Sequence, residues 1–151
     1  MKYILKGGTV VGSSVSQRAD LLIDGEKIAA VGENLCVEGA QVVDVTGKLL
    51  FPGFIDAHTH FDLDVCNTTT ADDFTSGTRS AICGGTTMVI DFACPNKGET
   101  LGYGLSLWHK KADGKSSCDY GFHMTIDDWN EGIRAEIPQM FEAGIPSFKM
   151  Y

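Results

Sequence analysis

His58-Thr59-His60 is the part of this sequence best suited to chemistry. It stands where the apolar run 49–55 turns polar. If that run is a strand, successive side chains point to opposite faces. His58 and His60 then share one face, roughly 6.6 Å apart along the backbone, with Thr59 on the other. Two imidazoles so placed can converge on one metal ion. A catalytic zinc commonly takes three protein ligands and a water, so further ligands must come from elsewhere. Asp56 has the same parity as the two histidines. It is a candidate third ligand or, by preference, an acceptor that orients an imidazole from behind. The spacing alone is equally met by two ordinary histidines at a strand end.

The elements that must position these side chains fall into two stretches. Residues 1–50 read as short strands at 3–5, 9–11, 19–23, 27–31 and 41–45, with turns at Gly7-Gly8, Asp24-Gly25 and Thr46-Gly47. They predict a small antiparallel β module. From Phe51 onward strands alternate with helices, the pattern of βα units. The expected strands are 51–57, 86–92, 118–125 and 145–151. Thr70-Ala71-Asp72-Asp73 resembles a capping box for a helix that runs to Cys83 and stops at Gly84-Gly85. A second helix is expected over 100–112. Pro138 limits the third to a short piece from Pro138 to Ala143. Asp91 ends the second strand and faces the mouth of such a sheet, as a direct participant or as a cap on backbone donors. His123 ends the third strand and reads as a satisfied core or loop histidine, and Cys66 is a weak extra candidate in the loop after the first strand. Barrel active sites lie at the carboxyl ends of the strands, so loops 61–70 and 93–97 are expected to shape the pocket.

Composition bounds the function. The 151 residues are 43% hydrophobic, enough for a packed core, and 20 acidic against 12 basic residues give a net charge of −8. No Lys/Arg stripe forms, which argues against a nucleic-acid or anionic-membrane partner. No apolar run is long enough to span a bilayer, and the start of the chain does not resemble a signal peptide, so a cytoplasmic protein is expected. Five cysteines without CxxC spacing fit reduced thiols, most of them as small core residues.

A longer pattern carries a resemblance. Pro52-Gly53-Phe54-Ile55-Asp56-Ala57-His58-Thr59-His60 is similar to the first barrel strand of the amidohydrolase superfamily. With Asp72-Asp73-Phe74, Gly84-Gly85-Thr86-Thr87, Ile90-Asp91-Phe92, Trp108-His109-Lys110-Lys111-Ala112, Asp119-Tyr120-Gly121-Phe122-His123 and Ser147-Phe148-Lys149, the chain resembles the dihydropyrimidinase and D-hydantoinase family. The resemblance covers essentially the whole sequence.

It implies an α/β fold: residues 1–50 as the first part of a composite β-sandwich, and 51–151 as the first four βα units of a (β/α)₈ barrel. Such a barrel typically needs about 250 residues, so this one would be incomplete. It implies two divalent metal ions, zinc first because imidazoles suit it. His58 and His60 would ligate one, and Lys149, carbamylated by CO2 once burial has freed its amine, would bridge both. The implied reaction is hydrolysis of a cyclic amide, opening dihydropyrimidines or hydantoins to N-carbamoyl amino acids. The implied partners are a small-molecule ureide substrate and further copies of the chain, as a tetramer. The family's two later histidine ligands and its aspartate base are absent here. No residue of this stretch is therefore assigned as the catalytic acid or base, and the chain alone is expected to be inactive. Allantoinase or dihydroorotase, and a non-catalytic scaffold relative, are the alternatives; retention of His58, His60 and Lys149 argues against the scaffold.

Overall fold

The structure, a computed structural model, describes residues 1–151 in two compact units, Met1–Pro52 and Gly53–Tyr151. No helix is long and apolar enough to cross a membrane.

The first unit is one five-stranded sheet built on a long strand, β1 (Lys2–Val11). β2 (Ser16–Asp24) pairs with it antiparallel, and β3 (Lys27–Gly32) pairs antiparallel with β2 across the Gly25-Glu26 turn. β4 (Gln41–Asp44) and β5 (Leu49–Leu50) return parallel to β1, along its other edge. This corrects the expected antiparallel module: a single mixed sheet forms. A ten-residue strand has an edge long enough for two short strands to dock end to end. Gly7-Gly8 is not a turn but a bulge inside β1, where the register slips between Leu5 and Gly8. Gly7 sits at φ +81°, and its N–H donates to the buried Asp20 carboxylate at 2.9 Å. Asp20 also accepts from the Leu35 N–H at 3.0 Å, so one carboxylate holds both the bulge and the loop after β3.

The second unit carries β6 (Phe54–Thr59), a small hairpin of β7 (Asp64–Val65) and β8 (Thr68–Thr69), α1 (Phe74–Cys83), β9 (Thr86–Ala93), α2 (Leu101–Ala112), β10 (Asp119–Ile126), α3 (Glu131–Glu142) and β11 (Phe148–Met150). Its main sheet runs β11-β10-β9-β6, every pair parallel. These are four successive strands of a barrel wall, as the βα alternation predicts. The helices seal the sheet with a core that includes Phe74, Leu101, Trp108, Phe122, Met124 and Ile133.

Local signals explain most boundaries. Asp73 caps α1, accepting from the Ser76 N–H at 2.8 Å while Ser76 Oγ accepts from the Asp73 N–H, so the box partner is Ser76 and the cap lies three residues later than Thr70. Thr100 caps α2 and Asn130 caps α3 through the Tyr103 and Ile133 N–H groups. The third helix is not the short piece expected. It starts at Glu131 and carries Pro138 inside it, although an interior proline removes one ladder bond at a cost of about 3 kcal/mol. Burial of Ile133 and Met140 on either side of Pro138 offsets that cost. The hairpin β7–β8 was not expected, because its turn residues Cys66 and Asn67 take φ +51° and +60° without a glycine.

Candidate metal centre

β6 delivers the two histidines, and it does so through an irregularity. Asp56 pairs with Val89 and Thr59 with Asp91, so β6 carries one extra residue between these pairings. Bulges of this kind re-aim side chains. Asp56 does not approach either ring as a ligand or acceptor; its Oδ1 accepts from the His58 backbone N–H at 3.1 Å. The bulge turns its carboxylate onto the main chain.

The imidazoles of His58 and His60 converge, with their Nε2 atoms 3.2 Å apart. One N–H···N hydrogen bond suits that distance. So does shared ligation, since two nitrogens at zinc-bond length in a tetrahedral array stand about 3.3 Å apart. Nδ1 of His60 is buried and has no hydrogen-bond partner, a polar atom left open. Burial, foremost, pushes the His60 imidazole below its ordinary range, which keeps it neutral, the form that binds metals. No three His, Cys, Asp or Glu side chains converge on one point, so the chain offers a pair of ligands and not a closed cage.

Both rings rest on Phe92, whose centroid is 4.7 Å from that of His58 and 4.9 Å from that of His60. His123 lies against the same ring at 4.8 Å, and Lys149 Nζ stands 4.4 Å from its centroid. Strand register explains the gathering: His123 pairs with Phe92 across β9 and β10, and Thr125 pairs with Lys149 across β10 and β11. Lys149 is half-buried rather than enclosed, with the Tyr151 ring 5.1 Å from its Nζ. His123 has both nitrogens engaged, with Ser147 Oγ and, at 3.0 Å, with the Ala57 carbonyl. It braces neighbouring strands.

Asp91 is wholly buried and takes four donors. Oδ2 accepts from Thr59 Oγ1 at 2.9 Å and the Phe61 N–H at 2.8 Å; Oδ1 accepts from the Phe92 N–H at 2.8 Å and Trp108 Nε1 at 3.0 Å. Burial, the larger effect, pushes its carboxyl above the ordinary range, against the pull of those donors. Beside this group opens a cleft of about 510 Å³, lined by Leu63 to Val65, Cys94 to Lys97, Trp108, Lys111, Thr125, Asp127 and Tyr151 among others. Both loops expected to shape a pocket contribute to it. A hollow of similar size, about 520 Å³, lies on the first unit around Arg18, Asp20 and Asp44 and contains no histidine or cysteine.

A parallel half-barrel whose strand ends gather His58, His60 and Lys149 meets a family pattern when compared with known proteins. The Amidohydrolase family matches residues 49–114. The D-hydantoinase of Geobacillus stearothermophilus is 47% identical over 152 residues, covering 100% of this chain and 32% of that protein. Over its whole length the chain is similar to the dihydropyrimidinase and D-hydantoinase family of amidohydrolases. The dihydropyrimidinase of Dictyostelium discoideum is 41% identical, over 98% of this chain and 30% of its own length. Among solved structures, the dihydropyrimidinase from Brevibacillus agri superposes with a TM-score of 0.95 at 44% identity, over 98% of this chain and 32% of that one. The chain thus spans about a third of the length of these dihydropyrimidinase and hydantoinase relatives.

The half-barrel brings together four of the residues singled out in the sequence, His58, His60, His123 and Lys149, around one aromatic ring. Asp91 sits behind them and Asp56 to the side. The ring itself, Phe92, carries no signal in the sequence, nor do Thr59 and Trp108 as partners of Asp91. Apolar and hydroxyl residues in a strand read as packing, and only the register shows what they face. The cysteines differ from expectation as well. All five are free, but Cys36, Cys66 and Cys83 are exposed and Cys94 and Cys118 only partly covered.

Proposed function

We propose that this chain supplies the first ligands of a metal-dependent cyclic amidohydrolase that opens dihydropyrimidine or hydantoin rings to N-carbamoyl amino acids. The observation that carries this reading is the approach of His58 Nε2 and His60 Nε2 to 3.2 Å over the ring that also seats Lys149. His58 and His60 would hold one divalent ion, zinc by preference, and Lys149, as a carbamate made with CO2, would be shared with a second. When bound, such ions supply an activated water at neutral pH and polarise the carbonyl under attack.

This chain's residues have their own tasks. The His60 imidazole, held neutral by burial, presents a lone pair without proton loss. Phe92 forms an apolar floor that limits water beneath the ligands and seats the Lys149 amine. A cleft of the same half-barrel, which includes Tyr151 beside Lys149, presents Asn96 and Lys97, polar groups suited to the amide edges of a planar ureide, between apolar walls from Leu63, Val65 and Leu107. The remaining ligands and the proton-transfer groups belong to parts of the enzyme outside these residues.

Elemental analysis with intact mass spectrometry of the whole protein, alongside hydrolysis of dihydrouracil and hydantoin, tests the reading. Two divalent ions per chain, a CO2 adduct on Lys149 and ring opening abolished by His60→Ala are expected. A protein that opens neither ring, and binds no metal when supplied with zinc, manganese or cobalt, would overturn it in favour of a non-catalytic role.

A further inference from the structure

A metal-ligating histidine is normally aimed by a hydrogen bond from its second ring nitrogen to a carboxylate or carbonyl. His60 has no such bond: Nδ1 is buried and unpartnered, and Nε2 meets only His58. Its direction must therefore be set through the backbone. Both neighbours of His60 are held by one group. Thr59 Oγ1 and the Phe61 N–H donate to the same oxygen of Asp91, at 2.9 and 2.8 Å. The other oxygen is anchored to its own strand by the Phe92 N–H and to α2 by the buried indole of Trp108.

With two donors on each oxygen, the Asp91 carboxylate has no lone pair directed at an ion. It is placed to aim a ligand, not to be one. Because a bulge interrupts the pairing between Asp56 and Thr59, the β6 ladder does not hold the histidine segment by itself. The side-chain clamp takes over where the ladder lapses.

We propose that Asp91 is a positioning residue of the metal centre, clamping the main chain on both sides of His60 so that its imidazole points at the ion, with Trp108 bracing the clamp from α2. The inference rests on the metal-dependent reading above. It accounts for a wholly buried carboxylate that touches neither proposed ligand ring.

The test uses the whole protein with Co(II) as the probe. Thr59→Val removes one donor while keeping the side-chain shape, and Thr59→Ser keeps the donor while losing the methyl group. Thr59→Val should weaken Co(II) binding, measured by chelator competition, by about ten-fold, the lower end of the effect of outer partners on ligand histidines. It should also alter the Co(II) ligand-field absorption, in a metal-free protein that is modestly less stable and still unfolds cooperatively. Thr59→Ser should restore wild-type affinity and spectrum. Asp91→Asn, which turns an amide N–H₂ toward two donors, should lower both affinity and unfolding temperature. Affinity and spectrum unchanged in Thr59→Val, or lost equally in Thr59→Ser, would overturn the clamp while leaving the metal reading intact. A wild-type protein that takes up no Co(II) would overturn the metal reading and the clamp with it.

Discussion

Gly77→Ala tests how the segment that carries His60 is seated on α1. A Cβ at position 77 would stand 2.2 Å from Cε1 of Phe61, 2.6 Å from Cδ1 and 2.8 Å from Cζ. Ordinary contact begins at 3.4 Å, so the ring or the helix must give by about 1.2 Å. The ring has little room to do so. It packs edge-on against the wholly buried Phe74 with centroids 5.3 Å apart, and the Phe61 N–H is held by Asp91. Overpacking of this kind costs about 1–3 kcal/mol. Alanine recovers about 1 kcal/mol of what glycine loses in a helix interior, leaving the variant up to about 2 kcal/mol less stable. Removing the ring should reverse the sign. In a Phe61→Ala background, Gly77→Ala should stabilise by up to about 1 kcal/mol, a coupling of about 1–3 kcal/mol between the two positions. Urea unfolding of the four proteins, with midpoints compared at constant m, measures it. An equal cost of Gly77→Ala with and without the Phe61 ring would refute the reasoning.

Two further outcomes follow from the caps and the surface. Asn130 Oδ1 accepts from the Ile133 N–H at 3.0 Å at the start of α3, so Asn130→Ala should cost about 1 kcal/mol in urea unfolding, and Asn130→Ser should recover most of it. Asp113 accepts from the Tyr120 hydroxyl, and this bond, with burial secondary, pushes Tyr120 up to about 12. An acid whose folded pKa is raised contributes stability that is complete below its unfolded value, near 10 for tyrosine, and is lost as pH climbs through the folded value. The partner behaves oppositely. Asp113 is held below the usual carboxylate range, by Tyr120 first and His109 second, and its contribution is lost as pH falls through that lowered value. Tyr120→Phe should therefore move the Asp113 carboxyl titration upward, toward the ordinary aspartate value, when followed by NMR. An unmoved titration would show that the hydroxyl is not the cause.

What the sequence alone determined was local or strictly periodic. The parity of His58 and His60, the Asp24-Gly25 hairpin, the helix ends at Gly84 and near Thr100, and the alternation of strands and helices after Phe51 all follow from a few neighbouring residues, and the structure keeps them. Tertiary structure decided everything that depends on a partner distant in sequence. Gly7-Gly8 reads as a turn, yet it is a bulge because Asp20 and the parallel return of β4 and β5 hold β1 straight through it. Pro138 reads as a helix start, yet burial of Ile133 and Met140 outweighed the lost ladder bond. Asp91 reads as a direct participant or a cap on backbone donors, and four donors, three of them on residues 17 to 32 positions away, fill its lone pairs. Phe92 reads as one more apolar strand residue until the register of three parallel pairings sets two proposed ligands and the site lysine on its ring. Patterning encodes which way a side chain faces. What it faces is set by register and packing, which arise only when strands from distant parts of the chain align.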